Sequence, residues 1–346
     1  MENRNDSLDF LKFLCIISVV CIHTNPFWGF GNIGMIIKSI CRVSVPLFFM
    51  CNGYLFYTKY NKNYYKKYWI KILKIFICWS LFYILLSLSL ISLANILNSR
   101  SVLFGYKEYF NKFSIANIYY CQEVMPYHLW YLVALIISIP VMHLILKYKM
   151  LNKALIISLI LNLVGIILCN FGFVSFEITR DAIFLGIFYC TLGMFINDKE
   201  KYIRTVLSKI SNTTYSIVII FLFAITILES IIYKNMFNTL GTYYFSTVPL
   251  GFMIFCIVIL NKNIGKDTLI NKVGKNSLGI YVVHVVFINV IDIVLYKFSI
   301  DKITNTVIWQ VLYTPIIILL SYYSYKILQI IKNKVLYKDK IKVILD

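Results

Sequence analysis

The chain has 346 residues, 60% hydrophobic and 14% charged, with a mean hydropathy of +0.77. A soluble globular domain keeps roughly a quarter of its residues charged. This composition therefore excludes an ordinary soluble enzyme, a disordered chain and a disulfide-stapled miniprotein, and points to an all-α, polytopic membrane helix bundle. The 34 Lys and Arg against 15 Asp and Glu give a formal charge of +19. In a membrane protein that excess reads as topology, because cytoplasmic loops collect Lys and Arg, so no nucleic-acid partner is expected.

A helix needs roughly 20 mostly apolar residues to cross the hydrocarbon with its backbone satisfied internally. Ten such stretches are expected, at about 8–25, 35–57, 69–94, 128–146, 151–170, 180–197, 212–233, 243–261, 277–297 and 304–331. The first should stay in the protein and not be cleaved as a signal peptide, since Asp9 and Lys12 interrupt its start and no small-residue cleavage site follows Cys21. With the N-terminus inside, the segments assigned to the cytoplasm carry 23 Lys and Arg and those assigned to the other side carry 8. A missed helix would spoil that contrast, so about ten transmembrane helices with both termini cytoplasmic are expected. Residues 1–346 read as a single domain, with an external loop at about 95–127 that forms a lid or short helices and an amphipathic cytoplasmic tail at about 326–346.

Ionisable groups inside a bilayer are expensive enough to be functional candidates. The first helix carries three. Asp9 and Lys12 are one turn apart, and His23 follows Lys12 by eleven residues, close to three turns, so all share one face. Imidazole at that position suits general-base work on an attacking hydroxyl. The alternative is structural: Asp9 in the first turn of the helix, Lys12 snorkelling, and His23 in the outer interface. In the second stretch Arg42 needs a carboxylate or an anionic ligand, and Pro46 can free a carbonyl. Asn52 and Gly53 lie toward the inner half, where Gly53 reads first as a close-packing residue.

The segment TKYNKNYYKKYWIKILKIF then gathers Lys59, Lys62, Lys66, Lys67, Lys71 and Lys74. Its ordinary meaning is anchoring against acidic head groups, although several ammonium groups at one helix mouth also suit a polyanionic ligand. Further on, His128 and Trp130 open the fourth long stretch in PYHLWYLVALI, as an interfacial belt or a site. In the ninth, Tyr281 and His284 stand three apart on one face, with His284 near mid-depth, while Glu229 and Asp292 are either interfacial or partners for Arg42. The nine cysteines sit mostly in apolar runs without ligand spacing, so they read as packing and no metal is expected.

Four segments in order, SLDFLKFLCIISVVCIH, RVSVPLFFMCNGYLF, HLWYLVALI and SLGIYVVHVVF, spread over residues 7–287, together resemble the integral-membrane acyltransferase-3 family. The resemblance implies a bundle of about ten helices that takes an acyl group, commonly acetyl, from cytoplasmic acyl-CoA to a hydroxyl of a cell-surface or exported carbohydrate. It puts the catalytic histidine on His23, with Asp9 and Lys12 at the start of the same motif. The family's Ser-Gly pair falls on Asn52-Gly53, and its arginine-rich start to the third helix is replaced by lysines. Lysine attracts phosphate but lacks the planar two-point contact of a guanidinium. On this reading Lys66, Lys67, Lys71, Arg42 and Asn52 serve acyl-CoA, and His128, Trp130, Tyr281 and His284 serve or support the substrate. The partners implied are acyl-CoA, a carbohydrate acceptor and the bilayer of the cell membrane, with a homo-oligomer left open. The competing function is a transporter or flippase without acyl-transfer chemistry.

Overall fold

A computed structural model describes residues 6–237 and 243–345, all of the regular structure among them helical. In chain order the helices are α1 (Asp6–Thr24), α2 (Ile33–Cys41), α3 (Ser44–Lys59), α4 (Lys62–Leu97), α5 (Val102–Asn111), α6 (Ile115–Tyr119), α7 (Trp130–Lys147) and α8 (Leu151–Asn170). There follow α9 (Phe176–Thr179), α10 (Ile187–Asp198), α11 (Glu200–Leu207), α12 (Asn212–Phe237), α13 (Thr247–Leu260), α14 (Leu269–Lys275), α15 (Ser277–Lys297) and α16 (Val307–Leu345).

Among the described residues eight helices are long and apolar enough to cross a membrane, and a ninth span results if Ala182–Asp198 and Glu200–Leu207, bent by 76°, are one crossing. Each of the ten expected stretches is mainly helical, but they do not all have the form the hydropathy suggested. The second is broken into α2 and α3 around Arg42, and the sixth opens with a π-helical turn at Ala182–Gly186. The eighth, α13, has 14 helical residues, about 21 Å of rise against a hydrocarbon core of about 30 Å. The stretch at 95–127 contains two short helices, α5 and α6. The surface is inverted relative to a soluble protein: Leu85, Ile156 and Phe221 are more than half exposed while Asn170 and His284 are wholly buried, the arrangement a lipid solvent favours.

The chain forms two compact units, one from Met1–Val45 with Ile257–Asp346 and the other from Pro46–Cys256. In the first, α14 lies against α1 so closely that a side chain at Gly274 would strike the Asp9 carbonyl. Polar ties fix the two ends of α1. Ser7 donates to the Asn261 carbonyl and accepts from the Ile264 amide, and Asn271 donates to Asp6 at 3.2 Å. At the other end the Thr24 and Thr314 hydroxyls meet at 2.7 Å and the Phe27 amide reaches the Gln310 side chain at 2.5 Å.

In the second unit, α3 and α10 touch backbone to backbone. A Cβ on Gly53 would collide with the Cys190 carbonyl, and one on Gly193 with the Met50 carbonyl, which is the close-packing role expected of Gly53. Helix α7 contains Pro140, whose missing N–H leaves the Ile136 carbonyl without its helical donor. The Trp69 indole of α4 supplies one at 2.9 Å. The π turn is treated similarly: Asn162 of α8 donates to the Phe184 carbonyl at 2.7 Å. Both pairings satisfy backbone groups that hydrocarbon cannot.

Candidate functional site

In the first unit the His23 ring, half-buried in the last turn of α1, lies 5.1 Å from that of His284, centroid to centroid. His284 is fully buried, and its Nδ1 sits 2.7 Å from the Tyr281 carbonyl oxygen. A carbonyl only accepts, so Nδ1 carries the proton and Nε2 of the neutral ring is the acceptor. The spacing of Tyr281 and His284 thus has a local use, since the residue one turn earlier selects the tautomer.

Gly274, just before α15, packs on Asp9 and Phe13 of α1. His284 follows Ser277 by about 10 Å of helical rise and precedes Lys297 by about 20 Å. Its ring contact with His23 therefore sets that imidazole against the middle third of α15. Asp9 is 3% exposed, and Lys12, partly buried, pairs with it at 3.4 Å. That pair lies about 16 to 21 Å down the α1 axis from His23, so within the unit it makes a separate polar feature on the same face.

Arg42 caps the end of α2 and is half-buried, with its Nε enclosed and without a hydrogen-bond acceptor among the described residues. The two carboxylates named as its candidate partners are engaged by other groups. Glu229 accepts from the Ser246 amide at 3.2 Å and hydroxyl at 2.8 Å, and Asp292 accepts from the Tyr313 hydroxyl at 3.4 Å. Arg42 makes no ion pair with a described residue.

In the second unit Lys66, Lys67 and Lys71 are exposed along the first turns of α4, which Asn61 caps by accepting from the Tyr64 amide at 2.7 Å. With 36 residues and about 54 Å of rise, α4 outruns the hydrocarbon, and its lysine end is the surplus. Asn52 bridges three helices from α3: its amide donates to the Tyr131 hydroxyl at 2.5 Å and the Phe48 carbonyl at 2.9 Å, and its oxygen accepts from the Tyr68 hydroxyl at 2.7 Å.

One histidine in this region escaped the sequence reading. His143, on α7, stacks on Tyr65 at 4.1 Å and 6°, and its Nδ1 meets the Tyr60 hydroxyl at 3.0 Å. Tyr64 and Tyr68 stack beside it at 5.7 Å and 11°. The signal available was a lone histidine one turn beyond Pro140, which alone does not stand out from an apolar run.

At the other end of α7, His128 is buried in a 3-10 turn, edge-on to the Tyr83 ring at 5.2 Å. Trp130 lies under the Arg180 guanidinium at 5.8 Å, with Phe176 at 4.8 Å from the same group. Next to it Asp181 accepts from the Phe184 amide at 2.9 Å and from the Tyr119 hydroxyl at 3.0 Å. Burial holds the Asp181 carboxyl above the usual carboxylate range and, with the nearby Asp181 charge, raises the Tyr119 phenol. Burial also pushes the Cys121 thiol up to about 12, against the opposing pull of Arg180. Arg180, Asp181 and Tyr119 were not singled out from the sequence; their grouping depends on loops meeting in space.

A family model described as an acyltransferase domain, Acyl_transf_3, matches residues 5–326. Two proteins of Enterococcus faecalis, both named amino-acid racemase, are also similar. One is 27% identical over 230 residues, covering 58% of this chain and 30% of the relative. The other is 27% identical over 286 residues, covering 75% and 38%. The chain thus matches only about a third of the length of these relatives. No solved structure matches.

Proposed function

The chain belongs to the acyltransferase-3 family, and from that premise we propose that it is a multi-pass enzyme of the cell membrane that transfers an acyl group, acetyl in the simplest case, from cytoplasmic acyl-CoA to a hydroxyl of an exported or cell-surface carbohydrate. The observation that carries the reading is the imidazole pair: His23 in ring contact with a buried His284 whose tautomer is fixed by the Tyr281 carbonyl.

In the reaction His23 takes the proton of the acceptor hydroxyl as its oxygen attacks the thioester carbonyl. The new C–O bond forms, the C–S bond breaks, and the CoA thiolate leaves with the proton returned by the imidazolium. Direct transfer needs no acyl-enzyme. His284 keeps the neighbouring ring oriented, and Arg42, with its enclosed and unoccupied donor, offers charge to a developing oxyanion. In the second unit Lys66, Lys67 and Lys71 meet the CoA phosphates as point charges.

Purified protein should release CoA from radiolabelled acetyl-CoA and pass the label to a glycan acceptor. His23→Ala should lower that rate by about a hundredfold to ten-thousandfold, the range for losing a general base, at unchanged expression. Full activity in this variant would remove the assignment. The second reading is movement of a small molecule or glycolipid across the membrane, which a helix bundle with polar side chains among its spans would also allow; the relatives named amino-acid racemase do not bear on it. Since most of their length lies outside the match, racemisation itself is not carried over. Substrate flux without thioester consumption would favour that second reading.

A further inference from the structure

At the corner between α7 and α8 the second unit holds a cleft of about 570 Å³, lined by Tyr57, Tyr148, Lys149, Met150, Lys153 and Asp198 together with Asn152 and three aliphatic side chains. Two spanning helices joined by only three residues, Tyr148–Met150, put this cleft at the face of the membrane where head groups lie. Its charge is one-sided. Asp198 is engaged on both oxygens, accepting from the Tyr57 hydroxyl at 2.6 Å and pairing with Lys199 at 2.8 Å, so Lys149 and Lys153 supply the net field.

Lys149 sits at φ 56°. The Lys149 amide bonds the Leu146 carbonyl at 3.2 Å and the Met150 amide bonds that of Ile145 at 2.9 Å, the helix-ending geometry in which glycine is free of strain and a side chain is not. A lysine is thus held where glycine would be easier, with its charge at the cleft. Tyr148 and Met150, both more than two-fifths exposed, extend the lining into an apolar surface.

We propose that this cleft binds the phosphate of an anionic phospholipid, with Lys149 and Lys153 on the head group and the apolar lining against the start of the acyl chains. A soluble phosphate ester would use the lysines and leave Met150 and the exposed aromatic ring unused. The lipid reading therefore accounts for both halves of the lining. The site is independent of the acyl-transfer reading and survives or fails separately from it.

Native mass spectrometry on the delipidated full chain, titrated with phosphatidylglycerol or phosphatidylcholine, provides the test. Phosphatidylglycerol should be retained roughly tenfold better, as expected for two lysines near the head group. Lys149→Glu with Lys153→Glu should abolish the preference, while Lys332→Glu with Lys334→Glu, exposed lysines that do not line the cleft, should preserve it. Because charge reversal at a turn can disturb folding, Lys149→Gly is the second variant: it should melt no lower than wild type and still lose part of the preference. Equal retention of the two lipids, a preference untouched by these changes at the corner, or displacement of phosphatidylglycerol by CoA or inorganic phosphate would overturn the proposal.

Discussion

The imidazoles of His23 and His284 face one another at 5.1 Å, although one closes the first helix and the other stands in the third turn of α15. If His284 orients its neighbour, His284→Gln should reduce turnover about tenfold to a hundredfold with little change in KM for acetyl-CoA, a smaller loss than removal of the base itself. Steady-state kinetics on the purified variant would check this. A rise in KM at constant kcat would instead make His284 a binding residue.

Trp69 and Pro140 form a pair that stability measurements can separate. Trp69→Phe leaves the Ile136 carbonyl without its donor and should cost about 1–3 kcal/mol. Pro140→Ala restores a backbone N–H able to bond that carbonyl, so the loss on Trp69→Phe should shrink in its presence. A double-mutant cycle by thermal unfolding in detergent would show the coupling, and additive effects would contradict it.

The α3–α10 contact has no room for even one methyl group. Gly53→Ala and Gly193→Ala should each destabilise by about 3 kcal/mol, the upper part of the overpacking range, because the obstacle is backbone and cannot rotate away. Gly29→Ala, which meets nothing within 4 Å, is the matched control and should leave the melting temperature unchanged.

Asp181 gives a pH dependence with a definite sign. Burial raises its folded-state pKa above the ordinary 3.8, so the folded protein holds this proton more tightly than the unfolded chain. Its contribution is complete below that ordinary value and is lost as pH climbs through the raised one. Asp181→Asn cannot ionise and keeps an oxygen for the Phe184 amide, so its melting temperature should gain on wild type as pH rises from about 4 toward neutrality. Parallel melting curves across that range would show that the carboxyl titrates alike in both states.

Hydropathy located the long apolar helices but not their breaks or the short helices between them, because a bilayer obliges each crossing segment to satisfy its own backbone and so writes that requirement alone into consecutive residues. The lysine end of α4, the common face of Asp9, Lys12 and His23, and the small residue at Gly53 were legible for the same reason. Only tertiary structure decided what those faces meet: that Gly53 lies on Cys190, that Asn52 ties Tyr68 to Tyr131, that His143 stacks on Tyr65, and that Glu229 and Asp292 serve Ser246 and Tyr313. It also set the His23 ring against that of His284 on α15. Such contacts join residues tens to hundreds of positions apart, and lipid is nearly indifferent to which apolar faces pair. Packing and a few polar bonds make that choice, and no local periodicity records it.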